Sequence, residues 1–143
     1  RSPVCSPKLV VLDTTLVLDL FLFADPAVQP LMVALADSGL RWICTEVMQQ
    51  ELRRVLDYPQ IRKGLAKSGR TAEQVETEAA RYWVQVPEPV ATHHGVRCKD
   101  RDDQMFVDLA IAHQACLLSK DHAVLALSKP LRRWRVSVSR RWE

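Results

Sequence analysis

Glycine is scarce in this sequence, and its four copies stand far apart, at Gly39, Gly64, Gly69 and Gly95. None of them belongs to the closely spaced glycine pattern that wraps a loop around the phosphates of a nucleotide. Binding of a dinucleotide or a nucleoside triphosphate through such a loop is therefore poorly supported.

Cysteine is also thinly spread, and its four copies are Cys5, Cys44, Cys98 and Cys116. They form no C-x-x-C pair, so the sequence favours reduced, mostly buried thiols over a disulfide or zinc framework. The adjacent His93-His94 lacks a third nitrogen or sulfur ligand at a recognisable spacing, which favours a surface pair over a zinc site. Because reduced thiols are typical of the cytosol, we expect a cytoplasmic protein.

Long apolar runs are absent as well. The most apolar stretch, Leu16–Phe23, is short and contains Asp19, whereas a membrane-spanning helix needs about 20 apolar residues. We therefore expect no membrane segment, and the lack of a basic leader and a small-residue cleavage site argues against a secretory signal. The formal net charge of +3 permits nucleic-acid binding without arguing for it. A length of 143 residues predicts one domain, covering residues 1–143.

Short apolar runs alternate with segments of helical periodicity along the chain. The predicted strands are Lys8–Leu12, Arg41–Cys44, Trp83–Val86, Ala115–Leu118 and an edge strand, Trp134–Ser139. The predicted helices run from Thr14 or Thr15 to Phe23, Pro26 to Ser38, Thr45 to Leu56, Gln60 to Lys67, Thr71 to Tyr82, Asp103 to Gln114 and Asp121 to Leu127. This alternation predicts an α/β fold with a mainly parallel central sheet.

Four acidic residues interrupt these apolar patterns. Asp13 and Asp121 each follow a predicted strand. At ~100° per residue, Glu51 falls roughly 60° from the centre of the apolar side of its helix, and Asp103 falls almost on the middle of its own. A buried carboxylate is costly unless it is paired or binds a metal, so these four acids indicate a shared cation site.

The predicted fold allows the four acids to meet. Ligands of an open parallel sheet collect outside the carboxyl ends of its strands, and all four acids follow such ends or lie in early turns of helices that begin there. An oxygen-rich pocket of this kind suits Mg²⁺ or Mn²⁺, which can orient a phosphodiester and activate a water for attack. A metal-dependent nuclease is therefore the favoured interpretation.

Simpler roles stay open for each polar residue of this set. A single carboxylate can cap a helix or lie at the edge of the core. Thr14, Thr15 and Ser119 lie beside the acids in sequence, where they can hold a metal-bound water or a phosphate oxygen. The same three residues can equally be helix caps.

Four motifs resemble, in the same order, those of the PIN-domain nucleases. Val10–Thr15 looks like the opening motif of that family, and Thr45–Leu56 is similar to its second segment, in which a glutamate precedes leucine. Asp103–Phe106 resembles its D-x-x-F helix start, and Leu118–Leu125 resembles its final acidic turn. The set spans most of the chain and most resembles the bacterial branch of toxins from toxin–antitoxin pairs.

This resemblance implies a three-layer α/β/α domain, divalent-metal-dependent cleavage of RNA, formation of a homodimer and inhibition by a protein antitoxin. The catalytic acids that would hold Mg²⁺ or Mn²⁺ are Asp13, Glu51, Asp103 and Asp121. Ser119 matches the serine or threonine that is usual in the family. Thr15 and Ala123 depart from the pattern, because asparagine or serine is common at the first position and an acid at the second.

Two other functions stay open. Haloacid-dehalogenase-like phosphohydrolases also carry an aspartate after the first strand, but their second aspartate would stand where this chain has Thr15. A non-enzymatic scaffold of the same fold would bind RNA or a partner protein without cutting it. Such a scaffold has little reason to keep four converging acids, so metal binding separates it from a nuclease.

Two groups of basic residues are candidates for RNA binding. Arg62 and Lys63 are expected near the acidic rim, where they either guide an RNA backbone or simply face the solvent. The tail Leu131–Glu143 interleaves arginines, including Arg132 and Arg133, with two tryptophans, which suits stacking on single-stranded RNA. For the tail, the sequence favours an edge strand that is protected by charge and has its tryptophans packed inward.

Overall fold

The computed structural model describes residues 8–37, 39–90 and 93–142. Within these residues, five parallel strands form one sheet in the order β3-β2-β1-β4-β5. The strands are β1 (Lys8–Leu12), β2 (Leu40–Cys44), β3 (Trp83–Gln85), β4 (Cys116–Leu118) and β5 (Val138–Ser139). The predicted α/β fold with a parallel central sheet is confirmed.

Eight α-helices connect and follow these strands in the described part of the chain. They are α1 (Thr14–Phe21), α2 (Gln29–Ala36), α3 (Glu46–Leu56), α4 (Pro59–Ser68), α5 (Ala72–Ala80), α6 (Gln104–His113), α7 (His122–Leu125) and α8 (Ser128–Arg132). Local sequence explains several of their ends. Thr45 caps α3 by accepting the Met48 N–H at 3.3 Å, and Thr71 and Gln74 form a reciprocal capping box on α5.

The helices cover both faces of the sheet. Val10 and Leu12 of β1 pack into the core formed mainly with α1 to α5, whereas Val11 packs into the core formed mainly with α6 to α8. Successive strand residues point to opposite faces, so β1 is buried on both sides and needs an uninterrupted apolar sequence. The result is the three-layer α/β/α architecture that was expected from the family resemblance.

The strand order reverses next to β1. From β1 the chain builds outward to β2 and β3, and it then returns to place β4 on the other side of β1. Leu12 is paired with Leu118, so the carboxyl ends of β1 and β4 lie side by side. A ligand site is expected at such a reversal, because the two connections leave in opposite directions and open a crevice.

The C-terminal part differs most from the prediction. The extended segment is only Val138–Ser139, because Arg135 has a left-handed backbone with φ of 60° that interrupts the predicted strand Trp134–Ser139. Trp134 is 40% exposed, so its predicted inward packing is wrong, whereas Trp142 packs partly against the core. Helix α8 was not predicted, since five residues are too few to show helical periodicity.

Some predictions concern residues outside the described ranges, namely Cys5, Ser38 as the end of a helix, and Glu143. The described cysteines, Cys44, Cys98 and Cys116, are free thiols, and the first two are buried. No single described helix is long and apolar enough to cross a membrane; only α1 together with the segment Pro26–Ala36, bent by 104° between them, meets the length and composition as a pair.

Candidate active site

Asp13 and Ser119 join the carboxyl ends of the two central strands. Asp13 is buried, with 4% of its surface exposed, and its Oδ1 caps α1 by accepting the Leu16 N–H at 2.9 Å. Its Oδ2 accepts the hydroxyl of the fully buried Ser119 at 2.5 Å. Burial raises the pKa of Asp13, and the bonds from Ser119 and Leu16 partly offset that rise. The protein itself therefore satisfies both oxygens of this carboxylate.

Asp121 enters the same site from the turn after β4. Its backbone N–H donates to the Ser119 hydroxyl oxygen at 3.0 Å, and its Oδ1 caps α7 by accepting the Ala123 N–H at 2.8 Å. Ser119 thus connects Asp13 with Asp121, and its own proton is directed to Asp13. Asp13 and Asp121 both serve as helix caps, the simpler role considered for them, yet each cap uses only one carboxylate oxygen.

Three carboxylates meet beside this turn: Asp100, Asp103 and Asp121. One oxygen from each lies within 4.8 Å of the other two. The Oδ2 atom of Asp103 is buried and has no hydrogen-bond partner among the described residues. Burial, a hydrogen bond to Asp121 and repulsion from the neighbouring acids raise the pKa of Asp103 to about 8.

The chemistry of this cluster fits a divalent cation. Adjacent carboxylates such as Asp103 and Asp121 repel each other unless one is protonated or a cation lies between them. Hard cations such as Mg²⁺ and Mn²⁺ take oxygen ligands and require few of them from the protein. The unpartnered Asp103 oxygen and the neighbouring oxygens of Asp100 and Asp121 offer such a donor set.

All four acids chosen from the sequence line one cavity of about 290 Å³, together with Thr14, Thr15 and Asp100. Glu51 is only partly buried and forms an ion pair with Arg54, one turn further along α3. It is therefore the member of the set that a basic side chain already neutralises. Thr14 and Thr15 begin α1, whose cap is Asp13, so neither threonine is the cap.

The predicted basic residues do not line this cavity. Arg62 is exposed and lies 3.7 Å from Asp57, and Lys63 is exposed on the same helix. Arg132 and Ser137 line a separate cavity, and that cavity shares no lining residue with the acidic one. Arg133 is exposed. Their role in RNA binding stays a prediction.

Lys120 and Asp19 form a charged contact that the sequence did not reveal. Asp19 is buried in α1, and its Oδ2 lies 2.5 Å from the Lys120 ammonium in an ion pair whose geometry is not that of a hydrogen bond. The pair ties α1 to the turn between Ser119 and Asp121. Lys120 also lowers the pKa of Asp13, against the larger effect of burial. The signal in the sequence was Asp19, an acid within an apolar run.

His94 holds the loop that carries Asp100. Its side chain is only 4% exposed, so the prediction that it lies on the surface is wrong, whereas His93 is exposed. His94 Nδ1 accepts the Val96 N–H at 2.9 Å, which leaves Nε2 to donate to Asp108 at 2.9 Å. Gln104 also donates to Asp108. This network fastens the loop to α6 and was hidden because the sequence gives no periodicity there.

Comparison with known proteins identifies the family. Residues 9–123 match the family model of the PIN domain, and no curated protein matches the chain. The fold is similar to a chain in the crystal structure of VapBC2 from Rickettsia felis bound to a DNA fragment from their promoter, with a TM-score of 0.62 and 9% identity, covering 95% of this chain and 100% of that one. The match to the PIN-domain model extends from β1 to α7, and we conclude that this chain belongs to the PIN-domain family.

Proposed function

We propose that this protein is a divalent-metal-dependent endoribonuclease and the toxin of a toxin–antitoxin pair. The observation that carries the proposal is the buried, unpartnered Oδ2 of Asp103 beside Asp100 and Asp121, in a chain of a nuclease family. A haloacid-dehalogenase-like phosphohydrolase would belong to a different family, so the match to the PIN-domain model does not support that alternative. We also propose a cytoplasmic location and keep a homodimer as a prediction.

In this proposal Asp100, Asp103 and Asp121 hold Mg²⁺ or Mn²⁺. A bound ion of this kind polarises the phosphodiester and lowers the pKa of a water molecule to supply the nucleophile. Asp13 is oriented by Ser119 and Leu16, so its carboxylate keeps one position at the edge of the cluster. Leu18, Val55 and Phe106 are the aliphatic and phenylalanine side chains among the mostly polar lining of the cavity.

The antitoxin part of the proposal has separate support. The PIN-domain motifs most resemble the bacterial toxin branch, and the structure of similar fold contains VapBC2 with a promoter fragment. A protein partner for this chain is therefore a reasonable expectation. The toxin role is tested by bacterial growth. Growth should stop when the wild-type chain is produced alone, and it should continue when Asp103→Asn is produced.

One observation favours the scaffold alternative. Asp13 and Asp121 cap helices, so their presence has an explanation without catalysis. The cap role does not account for Asp103, whose oxygen lacks any partner in the described residues. Metal binding thus remains the property that separates the two functions.

The direct experiment is cleavage of an end-labelled, mixed-sequence RNA in Mn²⁺, Mg²⁺ or EDTA. Wild type is compared with Asp103→Asn and with Asp37→Asn, a matched exposed acid that does not line the cavity. Metal-dependent cleavage that disappears only in Asp103→Asn supports the nuclease. Equal cleavage by all three proteins contradicts the site, and a folded wild type that neither cleaves RNA nor responds to metal favours the scaffold.

A further inference from the structure

A second cavity, of about 270 Å³, adjoins the acidic one and shares Glu51 and Asp102 with it. Its volume is slightly below the ~300–1,000 Å³ range of pockets for drug-sized ligands. Two guanidinium groups distinguish it from its neighbour: Arg54 from α3 and Arg101 from the turn before α6. The lining of this cavity therefore holds two arginines beside the two shared carboxylates, whereas the acidic cavity has no basic residue among its described lining.

Arg54 is held in place and still available to a ligand. Glu51 pairs with one edge of its guanidinium, while 64% of the side chain is exposed. A guanidinium has five N–H donors in a planar fork, so an ion pair at one edge leaves the others free to bind. The charge of Arg54 is permanent, because a guanidinium is not deprotonated in proteins.

Arg101 is available for a different reason. It is exposed and stands in the turn next to Asp100 and Asp102, yet no carboxylate of the described residues lies within ion-pairing distance of it. Arg101 lines the cavity instead. An arginine surrounded by acids in sequence, but paired with none, is poised to meet an anion from outside.

The cavity also has an apolar wall. Val47 of α3 is an apolar residue that is 44% exposed, and Met105 of α6 lines the same cavity. An apolar surface between guanidinium groups suits a sugar or a base attached to a phosphate, because these groups combine apolar faces with an anion.

We propose that Arg54 and Arg101 bind a phosphate of the substrate strand adjacent to the phosphate that is cut, with Val47 and Met105 contacting the attached nucleoside. This inference rests on the proposed ribonuclease function and adds the subsite that positions the strand. Glu51 is then a positioning residue for Arg54 as well as a wall of the acidic cavity. Single-stranded RNA is the favoured ligand, because successive phosphates of one strand can occupy two adjoining cavities.

The test is equilibrium binding of a fluorescent uridine oligonucleotide in EDTA, measured at several salt concentrations. We expect Arg54→Gln and Arg101→Gln each to raise Kd about tenfold, as expected for the loss of a charge-assisted contact. In the double variant the slope of log K against log salt should decrease by about 0.7, the value for one phosphate contact on a single strand. Arg81→Gln, an exposed arginine that lines neither cavity, is the matched control and should keep the wild-type Kd.

Four results would overturn the inference: no measurable RNA binding by wild type, an unchanged Kd in both arginine variants, an equal loss in Arg81→Gln, or equally tight binding of a polyglutamate peptide. Cleavage in Mn²⁺ by the same proteins separates the two proposals. RNA cleavage by wild type with unaltered KM in both variants refutes the subsite alone. RNA binding that depends on both arginines, without cleavage, refutes the nuclease instead.

Discussion

Asp13 and Asp103 are the same residue type on the same rim of the sheet, but they differ in how far the protein satisfies their hydrogen-bonding capacity. Asp13 is the more deeply buried, and both of its oxygens accept hydrogen bonds, from Leu16 and Ser119. Asp103 is less buried, yet its Oδ2 has no partner within the described residues. Depth of burial alone therefore does not identify the carboxylate that has an unfilled acceptor.

The difference shows which feature carries functional information. A buried carboxylate whose hydrogen-bonding capacity is filled by the protein is structurally stable without a ligand. A buried carboxylate with an empty acceptor beside two other acids is not, and it must take up a proton or a cation. We therefore expect substitutions at the two positions to act on different properties, stability at Asp13 and metal-dependent activity at Asp103.

The largest expected effect is the loss of activity in Asp103→Asn. Removing this proposed metal ligand should reduce RNA cleavage at least about 100-fold, which corresponds to ~2.7 kcal/mol of transition-state stabilisation. The melting temperature in EDTA should stay equal or rise, because an amide can donate to Asp121 as the protonated carboxyl does and stays uncharged above the raised pKa of Asp103. Initial cleavage rates and thermal melting of the same preparation measure both effects, and a large fall in melting temperature would contradict the comparison.

Asp13→Ala should instead destabilise the fold, by about 2–4 kcal/mol. The variant loses the cap of α1, worth ~1 kcal/mol, and leaves the buried Ser119 hydroxyl without its acceptor, which costs a further ~1–3 kcal/mol. Urea unfolding followed by circular dichroism measures this change. Asp25→Ala is a suitable control, because Asp25 caps only an exposed short turn. Equal losses of stability in the two variants would show that the hydrogen bond between Asp13 and Ser119 adds nothing to the free energy of unfolding.

The third expected effect is a fall in stability with rising pH when metal is absent. Asp103 has a raised pKa, so between about 4 and about 8 the folded protein holds a proton that the unfolded chain has released. Proton uptake by the folded state stabilises it at low pH, and this contribution is lost as pH rises through the folded pKa. Melting temperature in EDTA should therefore decrease across this window by a few degrees.

Mn²⁺ should oppose that trend, since a metal binds the deprotonated carboxylates and its affinity increases with pH. At 100 times its Kd, a ligand of the folded state stabilises by ~2.7 kcal/mol. Asp103→Asn should flatten the slope in EDTA and lose most of the response to Mn²⁺. Because the pKa of Asp13 is also raised, a smaller slope of the same sign should persist in that variant. A slope that is identical in wild type and variant would assign the titration to other groups.

The sequence predicted the fold well wherever periodicity is strong. The bounds of β1 agree with the prediction, and α3 and α5 begin directly after Thr45 and Thr71, where two helices were predicted to start. Four acids chosen from the edges of apolar patterns line one cavity, because strand ends and helix starts meet on the same rim of a parallel sheet. Their catalytic and metal-binding roles stay predictions.

Asp100 and Arg54 were not among the residues predicted from the sequence, and each has a physical reason. Asp100 joins the acidic cluster through a loop fastened by His94 and Gln104, and no periodicity distinguishes it from Asp102 nearby. Arg54 looks like a solvent-facing helix residue in sequence, since its importance depends on a neighbouring cavity that only the packed helices create. Long-range contacts of this kind have no local signature.

Ser119→Ala should cost less stability than Asp13→Ala, about 1–3 kcal/mol, yet it tests the comparison most directly. The substitution removes the donor to Asp13 Oδ2 and the acceptor of the Asp121 N–H, while the N–H of Leu16 still reaches Asp13 Oδ1. Asp13 then acquires an unfilled acceptor like that of Asp103, and its pKa should rise further. Stability in EDTA should consequently decrease more steeply with pH than in wild type. The control is Ser68→Ala: Ser68 is exposed and donates a hydrogen bond to the Leu65 carbonyl, and its loss should leave the pH dependence unchanged. A wild-type pH profile in Ser119→Ala would mean that the Ser119 hydroxyl does not determine the charge state of Asp13.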